Sequence, residues 1–163
     1  MLAEQVFSQK VIDQLEFWLA KYPKDQRQSA VIPGLHILQD ENGGFLTTVL
    51  MDQLADYIGM PEIAVYEVAT FYGMYDLEVV GKNKINVCDN ISCVLNGANE
   101  IIEHISSRLS IKPGETTEDG RITLKRVECQ GACCGAPMLE VNQKFYENLT
   151  IESVDKIIDS LEA

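Results

Sequence analysis

The sequence lacks several features that mark common classes of protein. No apolar run within its 163 residues approaches the roughly 20 residues that a membrane-spanning helix needs. It has no Gly-x-Gly-x-x-Gly, no phosphate-binding loop and no nucleophile–base pair. It also lacks Cys-x-x-Cys, the spacing of redox dithiols and of common zinc knuckles. These absences predict no nucleotide or flavin site on this chain and no catalytic residue.

Basic residues are few. The chain has 13 Lys and Arg against 25 Asp and Glu, a formal net charge of −12. Such a surface repels nucleic acid and anionic membranes, and it suits solubility or a basic protein partner. The first seven residues predict neither a secretory signal nor an Arg-rich transit peptide.

The most informative residues that are present are five cysteines. Cys88 and Cys93 have four residues between them, Cys129 and Cys133 have three, and Cys134 directly follows. Thirty-five residues separate the two pairs. Four thiolates from two loops suit a tetrahedral metal ion or a [2Fe–2S] cluster. An odd number of cysteines without a secretory signal favours a reducing compartment over a disulfide framework.

Helical periodicity runs through the first 80 residues. The pattern predicts four short helices: the first ends before Pro23, the second spans 26–39, the third is capped by Thr48, and the fourth runs from Pro61 to Gly73. Short links between them predict a small helical bundle domain over residues 1–80. The aromatic residues expected in its core are Trp18, Tyr66, Phe71 and Tyr72.

The pattern changes near Gly81. The predicted elements are, in order, a strand at 84–88, a helix capped by Asn96, a strand at 121–127, a hairpin over 137–146 and a helix capped by Thr150. This β-α-β-β-α order predicts a second domain, residues 81–163, with helices packed on one mixed sheet. The fold class expected for the whole chain is therefore α+β.

Both cysteine pairs follow the end of a predicted strand, so both loops are expected at one sheet edge. Cys88 ends its strand, and Cys93 is expected just before a helix whose N-terminus stabilises thiolates. Gly131 and Gly135 allow a tight turn that brings backbone amides towards sulfur. The spacing favours a [2Fe–2S] cluster, and it leaves structural zinc or no metal as alternatives.

Longer runs of sequence resemble a known family. They are Val-Cys-Asp-Asn-Ile-Ser-Cys (87–93), Lys-Pro-Gly-Glu-Thr-Thr (112–117), Asp-Gly-Arg (119–121) and Val-Glu-Cys-Gln-Gly-Ala-Cys-Cys-Gly-Ala-Pro (127–137). Upstream, Ser-Ala-Val-Ile-Pro (29–33) and Val-Tyr-Glu-Val-Ala-Thr-Phe-Tyr (65–72) fit the same family. Together they are similar to the E-type, or 24-kDa-type, subunit of respiratory NADH:quinone oxidoreductase (complex I), and the resemblance covers nearly the whole chain.

The resemblance implies a helical bundle followed by a thioredoxin-like ferredoxin domain. It also implies one [2Fe–2S] cluster held by Cys88, Cys93, Cys129 and Cys133. The chain would be an electron carrier within an NADH dehydrogenase of the respiratory chain. Since a cluster carries single electrons and NADH delivers hydride, a flavin must stand between them. The family has no required cysteine where Cys134 stands, so this thiol is a spectator or an alternate ligand.

The partners follow from the same resemblance. They are a larger F-type flavoprotein subunit that binds NADH, FMN and a [4Fe–4S] cluster, and other peripheral-arm subunits. The expected location is cytoplasmic, at the inner face of the inner membrane and held there through the complex.

Two alternatives stay open, one from the resemblance and one from another class of protein. Similar chains serve NAD-linked hydrogenases and formate dehydrogenases, and a zinc-stabilised adaptor protein is an alternative of another class. A Rieske centre is disfavoured because neither His36 nor His104 lies beside a cysteine on a loop.

Overall fold

The computed structural model describes residues 7–162 and divides the chain into two compact units, Met1–Val79 and Val80–Ala163. The described part of the first unit is helical: α1 Gln9–Leu19, α2 Val31–Glu41, α3 Thr48–Ile58 and α4 Glu62–Phe71, with a 3-10 turn, Arg27–Ala30, before α2. Side-chain oxygens of Ser8 and Thr47 accept hydrogen bonds from the first turns of α1 and α3, 3.3 Å in both cases. Gly59, at φ +74°, ends α3 in the left-handed region.

The first unit closes around a core of aliphatic side chains. Those that are at most 2% exposed include Val11, Leu15, Leu35, Leu38, Leu46, Leu54, Ile58 and Val65. Gln39 is buried beside this core, and its Nε2 donates to the carbonyl oxygen of Met74 at 3.1 Å. Its Oε1 accepts from the backbone N–H of Asp76 at 2.7 Å. One buried amide therefore fixes the segment that follows α4, and both of its polar ends are satisfied.

Three predictions for this unit need correction. The second helix does not begin at residue 26: Arg27–Ala30 forms a 3-10 turn and α2 starts at Val31, so that Pro33 falls in its first turn, where its missing N–H costs nothing. Thr47, not Thr48, caps α3, because its extended backbone points its hydroxyl at the N–H of Leu50. Phe71 and Tyr72 are not core residues: they are 80% and 39% exposed.

The second unit is a mixed sheet with helices. Its elements are β1 Asn83–Cys88, α5 Ile91–Leu95, α6 Ala98–Leu109, β2 Ile122–Val127, β3 Leu139–Val141, β4 Lys144–Tyr146 and α7 Ile151–Glu162. The strand order is β2-β1-β3-β4, with β1 parallel to β2 and antiparallel to β3, and β3 antiparallel to β4. The parallel connection is the crossover through α5 and α6. The predicted α+β fold is confirmed.

One sheet face packs against α6 and α7. The residues of this core include Ile85, Val87, Ile102, Ile105, Leu124, Leu139, Val154 and Ile158. Between α6 and α7, His104 Nε2 lies 2.7 Å from Asp155 Oδ1, and Arg108 pairs with both Asp155 and Asp159.

The predicted cap at Asn96 is wrong. An additional short helix, α5, lies between β1 and α6, and Asn96 ends it. Helix α6 begins after Gly97, whose φ of +94° reverses the chain between the two helices. The cap at Thr150 is confirmed, since its hydroxyl oxygen accepts from the N–H of Ser153 at 3.2 Å. Between residues 7 and 162, no helix has the length and apolar character that crossing a bilayer requires.

Candidate metal centre

The sheet brings the two cysteine-bearing segments together. Cys88 is the last residue of β1 and lies opposite Val127, the last residue of β2. Because these strands are parallel, the chain leaves both at the same edge. The first cysteine loop (residues 88–93, of which the last three form the start of α5) and the second cysteine loop (residues 128–135) therefore begin as neighbours, as predicted.

The first pair is buried. Cys88 and Cys93 are 3% and 2% exposed and pack with Ala98 and Met138. The prediction placed Cys93 in a loop just before a helix, but Cys93 is the third residue of α5. Asn90 explains the difference, because its Oδ1 accepts from the N–H of Ile91 at 2.9 Å and starts a helix earlier than expected.

The second pair is exposed. Cys129 and Cys133 present their sulfurs 3.9 Å apart on a loop that turns at Gly131, where φ is +78°. The N–H of Gly131 donates to Cys129 Sγ at 3.4 Å. This is the predicted amide-to-sulfur contact, and it stabilises negative charge on that sulfur. Cys134, also exposed, follows in a 3-10 turn, Cys133–Gly135.

Gly135 is required by packing rather than by its backbone angles. A Cβ built there would lie 2.6 Å from the Cβ of Glu147 and overlap that carboxylate. The carbonyl oxygen of Gly135 also accepts from the N–H of Asn148 at 2.6 Å. The end of the second cysteine loop is thus pressed against the segment that follows β4.

The donor set fits a cluster with two irons. Two thiolates on one tetrahedral ion, each bound at about 2.3 Å, lie about 3.8 Å apart, which matches the spacing of Cys129 and Cys133. The Cys93 thiol hydrogen-bonds with the Cys88 thiol, and it lies near enough to Cys133 for the two to interact electrostatically. In the described part of the chain, no three His, Cys, Asp or Glu side chains converge on a single ion-sized site. Four thiols supplied as two pairs by neighbouring segments are a donor set that a [2Fe–2S] cluster uses.

Burial raises the pKa of the Cys93 thiol. The neighbouring Cys88 raises it further, and a hydrogen bond from the backbone of Met138 acts in the opposite direction. Thiols bind metal as thiolates, so a buried thiol of raised pKa releases its proton when it is ligated. The Met138 carbonyl also accepts from the N–H of Cys88 at 3.3 Å, which fixes both cysteines of the first pair against one residue.

Sequence reasoning missed the contacts between the two cysteine loops. Asn90 Nδ2 donates to Glu128 Oε2 at 2.8 Å, and Arg126 Nη1 lies 3.9 Å from Asp89 Oδ2. An Asn two residues after a predicted strand signals a helix cap, but nothing in the sequence pairs it with a residue 38 positions away. The two histidines lie elsewhere, as expected: His36 contacts the ring of Tyr75, and His104 pairs with Asp155.

Comparisons with known proteins agree with this geometry. Residues 15–162 match the thioredoxin-like [2Fe–2S] ferredoxin family. The chain is 41% identical over 156 residues to the E-type subunit of NADH-quinone oxidoreductase from Rickettsia conorii, covering 96% of this chain and 93% of that one. It is 44% identical over 155 residues to NADH dehydrogenase [ubiquinone] flavoprotein 2, mitochondrial, of Dictyostelium discoideum. That match covers 95% of this chain but 63% of the relative's length.

Among solved structures, a crystal structure of NAD+-reducing [NiFe]-hydrogenase in the air-oxidised state superposes with a TM-score of 0.70. It is 20% identical and covers 84% of this chain and 24% of that chain, a likeness of fold. The resemblance in sequence to E-type subunits is confirmed by the Rickettsia and Dictyostelium relatives. By the match across residues 15–162, the chain belongs to the thioredoxin-like [2Fe–2S] ferredoxin family.

Proposed function

We propose that this chain is the electron-transfer subunit of an NADH:quinone oxidoreductase and holds one [2Fe–2S] cluster through Cys88, Cys93, Cys129 and Cys133. The observation that carries the proposal is the pairing of four thiols at the carboxyl ends of β1 and β2. Relatives that match over most of their own length and are named as this subunit support it.

The chain's own residues bind and shield the cluster. The cluster accepts and releases single electrons. Cys88 and Cys93, buried among Ala98 and Met138, exclude water from one side of the site. The Gly131 N–H stabilises charge on Cys129 Sγ at the exposed side. All-thiolate ligation favours a low potential, nearer the roughly −400 mV of plant-type ferredoxins than the Rieske range.

The proposed partner is a flavoprotein subunit that takes hydride from NADH and passes electrons on singly. No nucleotide-binding loop is present in the sequence, so the hydride acceptor has to lie on another chain. We assign the two expected domains separate roles: residues 81–163 hold the cluster, and residues 1–80 bind the flavoprotein. The complex would sit on the cytoplasmic face of the inner membrane and be held there by its other subunits.

The surface of the helical unit supports this assignment. No Lys or Arg occurs from residue 28 to residue 81, whereas this stretch contains Asp40, Glu41, Asp52, Asp56, Glu62, Glu67 and Glu78, besides the buried Asp76. An apolar strip (residues 71–79) lies in the same stretch. Its exposed side chains are Phe71 at 80%, Tyr72 at 39%, Met74 at 40%, Leu77 at 42% and Val79 at 73%. Exposed apolar side chains with acidic neighbours suit a partner surface that is apolar at its centre and basic at its rim.

The apolar strip is held in place rather than loose. Gln39 binds the backbone of Met74 and Asp76, and the Tyr75 hydroxyl donates to the carbonyl oxygen of Ile32 at 2.9 Å. Tyr75 itself is 5% exposed and anchors the strip in the core. A preformed surface loses little entropy when it docks, so it favours stable binding.

The hydrogenase alternative has weaker support. The hydrogenase chain shares the fold at 20% identity, whereas the two relatives named above share 41% and 44%. The zinc-adaptor alternative also has weaker support, because neither cysteine pair has the two-residue spacing common in zinc knuckles and the matching family is a [2Fe–2S] family.

Copurification tests the proposal. The tagged chain is expressed with the F-type flavoprotein of the same source, and bound FMN and NADH-dependent reduction of the cluster are measured by absorbance and EPR. We expect Phe71→Glu to reduce flavoprotein binding strongly, because it places a charge in the apolar strip. Phe17→Glu is the matched control, since Phe17 is 62% exposed on α1, outside that strip. A wild-type chain that retains no flavin-containing partner would contradict the proposed assembly.

A further inference from the structure

The two cysteine loops are joined by residues that lie beside the ligands. Asn90 is two positions after Cys88, and Glu128 is directly before Cys129. The Asn90 Nδ2–Glu128 Oε2 hydrogen bond is 2.8 Å long, a normal length for an amide that donates to a carboxylate. The backbone N–H of Asp89 also donates to the Val127 carbonyl at 3.1 Å, which extends the ladder one step past the strands. Beyond that step, the hydrogen bond between the side chains of Asn90 and Glu128 connects the two loops.

Asn90 uses both ends of its amide. Its Oδ1 caps α5 by accepting from the N–H of Ile91, and its Nδ2 donates to Glu128. Aspartate caps a helix as well as asparagine does, so the cap alone does not explain an amide here. Among the residues that commonly cap helices, only asparagine can accept with one side-chain atom and donate with another. Aspartate at 90 would instead set two carboxylates against each other at the site of a negatively charged cluster.

We propose that the Asn90–Glu128 hydrogen bond is a latch that holds the two cysteine loops together and slows loss of the cluster. Asn90 and Glu128 are positioning residues, not ligands. The inference rests on the proposed ligand set, because a latch between the loops matters only if both pairs hold one cluster.

The latch is needed most by the second cysteine loop. Cys129 and Cys133 are exposed on a segment that turns at Gly131, whereas Cys88 and Cys93 are fixed by β1, α5 and their own burial. A bond at Glu128 restrains the loop at the residue next to its first ligand. The nearby Arg126–Asp89 pair does less, since its atoms are 3.9 Å apart, beyond hydrogen-bond distance, whereas Asn90 and Glu128 are hydrogen-bonded at 2.8 Å.

The test is a set of variants in which the amide group is moved from residue 90 to residue 128. Asn90→Asp removes the donor, Glu128→Gln keeps an acceptor, and the double variant Asn90→Asp/Glu128→Gln restores a carboxylate–amide pair with its direction reversed. Asn90→Ser keeps a helix cap but is too short to reach Glu128. Arg126→Gln is the matched control, because it lowers the net charge by one at the same sheet edge, as Asn90→Asp does, and leaves the latch intact.

Cluster loss is followed as bleaching of visible absorbance in the presence of an iron chelator, with far-UV circular dichroism as the check on folding. We expect Asn90→Asp and Asn90→Ser to lose the cluster on the order of tenfold faster than wild type, the size typical of outer-shell partners. Glu128→Gln, the double variant and Arg126→Gln should remain close to the wild-type rate.

Each other outcome overturns the proposal. A wild-type rate for Asn90→Ser, or a fast rate for Arg126→Gln, would mean that added charge and not the bond controls cluster loss. A double variant as fast as Asn90→Asp would show that the two residues are not coupled. A colourless, iron-free wild type would overturn the ligand set together with the latch, whereas a coloured wild type with an unaffected Asn90→Asp would overturn the latch alone.

Discussion

The two cysteine pairs lie at one edge of the sheet but have opposite surroundings. Cys88 and Cys93 are buried, one at a strand end and one inside a capped helix. Cys129 and Cys133 are exposed, on a loop shaped by glycines. The first pair is therefore held by the same packing that holds the sheet and α6, while the second depends on loop contacts.

This difference shows which cysteine pair is held in position by the packed fold itself. Moving Cys88 or Cys93 means disturbing a hydrophobic core, whose close packing resists change. Moving Cys129 or Cys133 disturbs a turn and a few hydrogen bonds. We expect the first pair to be intolerant of substitution and the second to be sensitive to loop geometry.

The largest effect is expected from Cys88→Ala. It removes a ligand for which the buried surroundings offer no replacement thiol, so the purified protein should be colourless with little or no bound iron. Cys134→Ala is the control, because in our assignment that exposed thiol is not a ligand, and the variant should keep its visible spectrum. Bleaching in Cys134→Ala with colour retained in Cys133→Ala would show that the ligand assignment is wrong.

The next largest effect is expected from Gly135→Ala. The added methyl would overlap Glu147 and push the second cysteine loop away from its position, an overpacking change that typically costs about 1–3 kcal/mol. Both the unfolding midpoint and the iron content of the purified protein should fall. Thermal unfolding with parallel iron assay measures the two together.

Gly120→Ala separates backbone strain from the effect on the cluster. Gly120 has φ +70° with open space at its Cβ position, and it lies at the opposite end of β2 from the second cysteine loop. Its alanine variant should lose about 1–2 kcal/mol of stability from left-handed strain and keep full iron content. Equal iron loss in both variants would mean that Gly135 has no specific role at the site.

A smaller effect is expected from Cys133→Ala. Cys134 is the adjacent residue in the same exposed 3-10 turn, so it can supply a thiolate when Cys133 is absent. The variant should retain part of its cluster, with altered visible and EPR spectra. The double variant Cys133→Ala/Cys134→Ala should lose it, and a double variant that stays coloured would refute the exchange.

The smallest effect concerns the packing of α6, the helix that follows the first pair. His104 and Arg108 lower the pKa of Asp155, so its carboxylate stabilises the folded state above the unfolded pKa of about 3.9. This contribution is lost as pH falls through the lower folded pKa. Asp155→Asn should therefore unfold slightly more easily than wild type at neutral pH, and the difference should vanish in acid.

Unfolding curves measured from neutral pH to below pH 4 test whether the stability difference between wild type and Asp155→Asn shrinks as pH falls. Asp159 lies on the same helix and pairs with Arg108, but Asp155 is the residue that meets both His104 and Arg108. A difference that grows as pH falls would contradict the assigned cause.

Much of this arrangement follows from local patterns in the sequence. Alternating Ile85 and Val87 identify β1, Thr150 identifies the start of α7, and two cysteine pairs after strands predict where the candidate site lies. Each depends on residues close together in the chain, where propensity and spacing apply.

The missed features depend on contacts between distant residues. Helix α5 is five residues long, too short for a periodic signal, so the sequence predicts Cys93 in a loop. Gly135 looks like a turn glycine, but its role arises from Glu147, which only the fold brings near. Phe71 is predicted to lie in the core because large apolar residues are usually buried. It is exposed, and nothing in the sequence pattern separates an exposed apolar residue from a buried one.

The most direct test of the account is the iron and acid-labile sulfide content of the purified wild-type chain. A [2Fe–2S] cluster on the four proposed ligands predicts about two irons and two sulfides per chain, with an EPR signal that appears on reduction. Zinc in place of iron, or an iron content near four per chain, would contradict it.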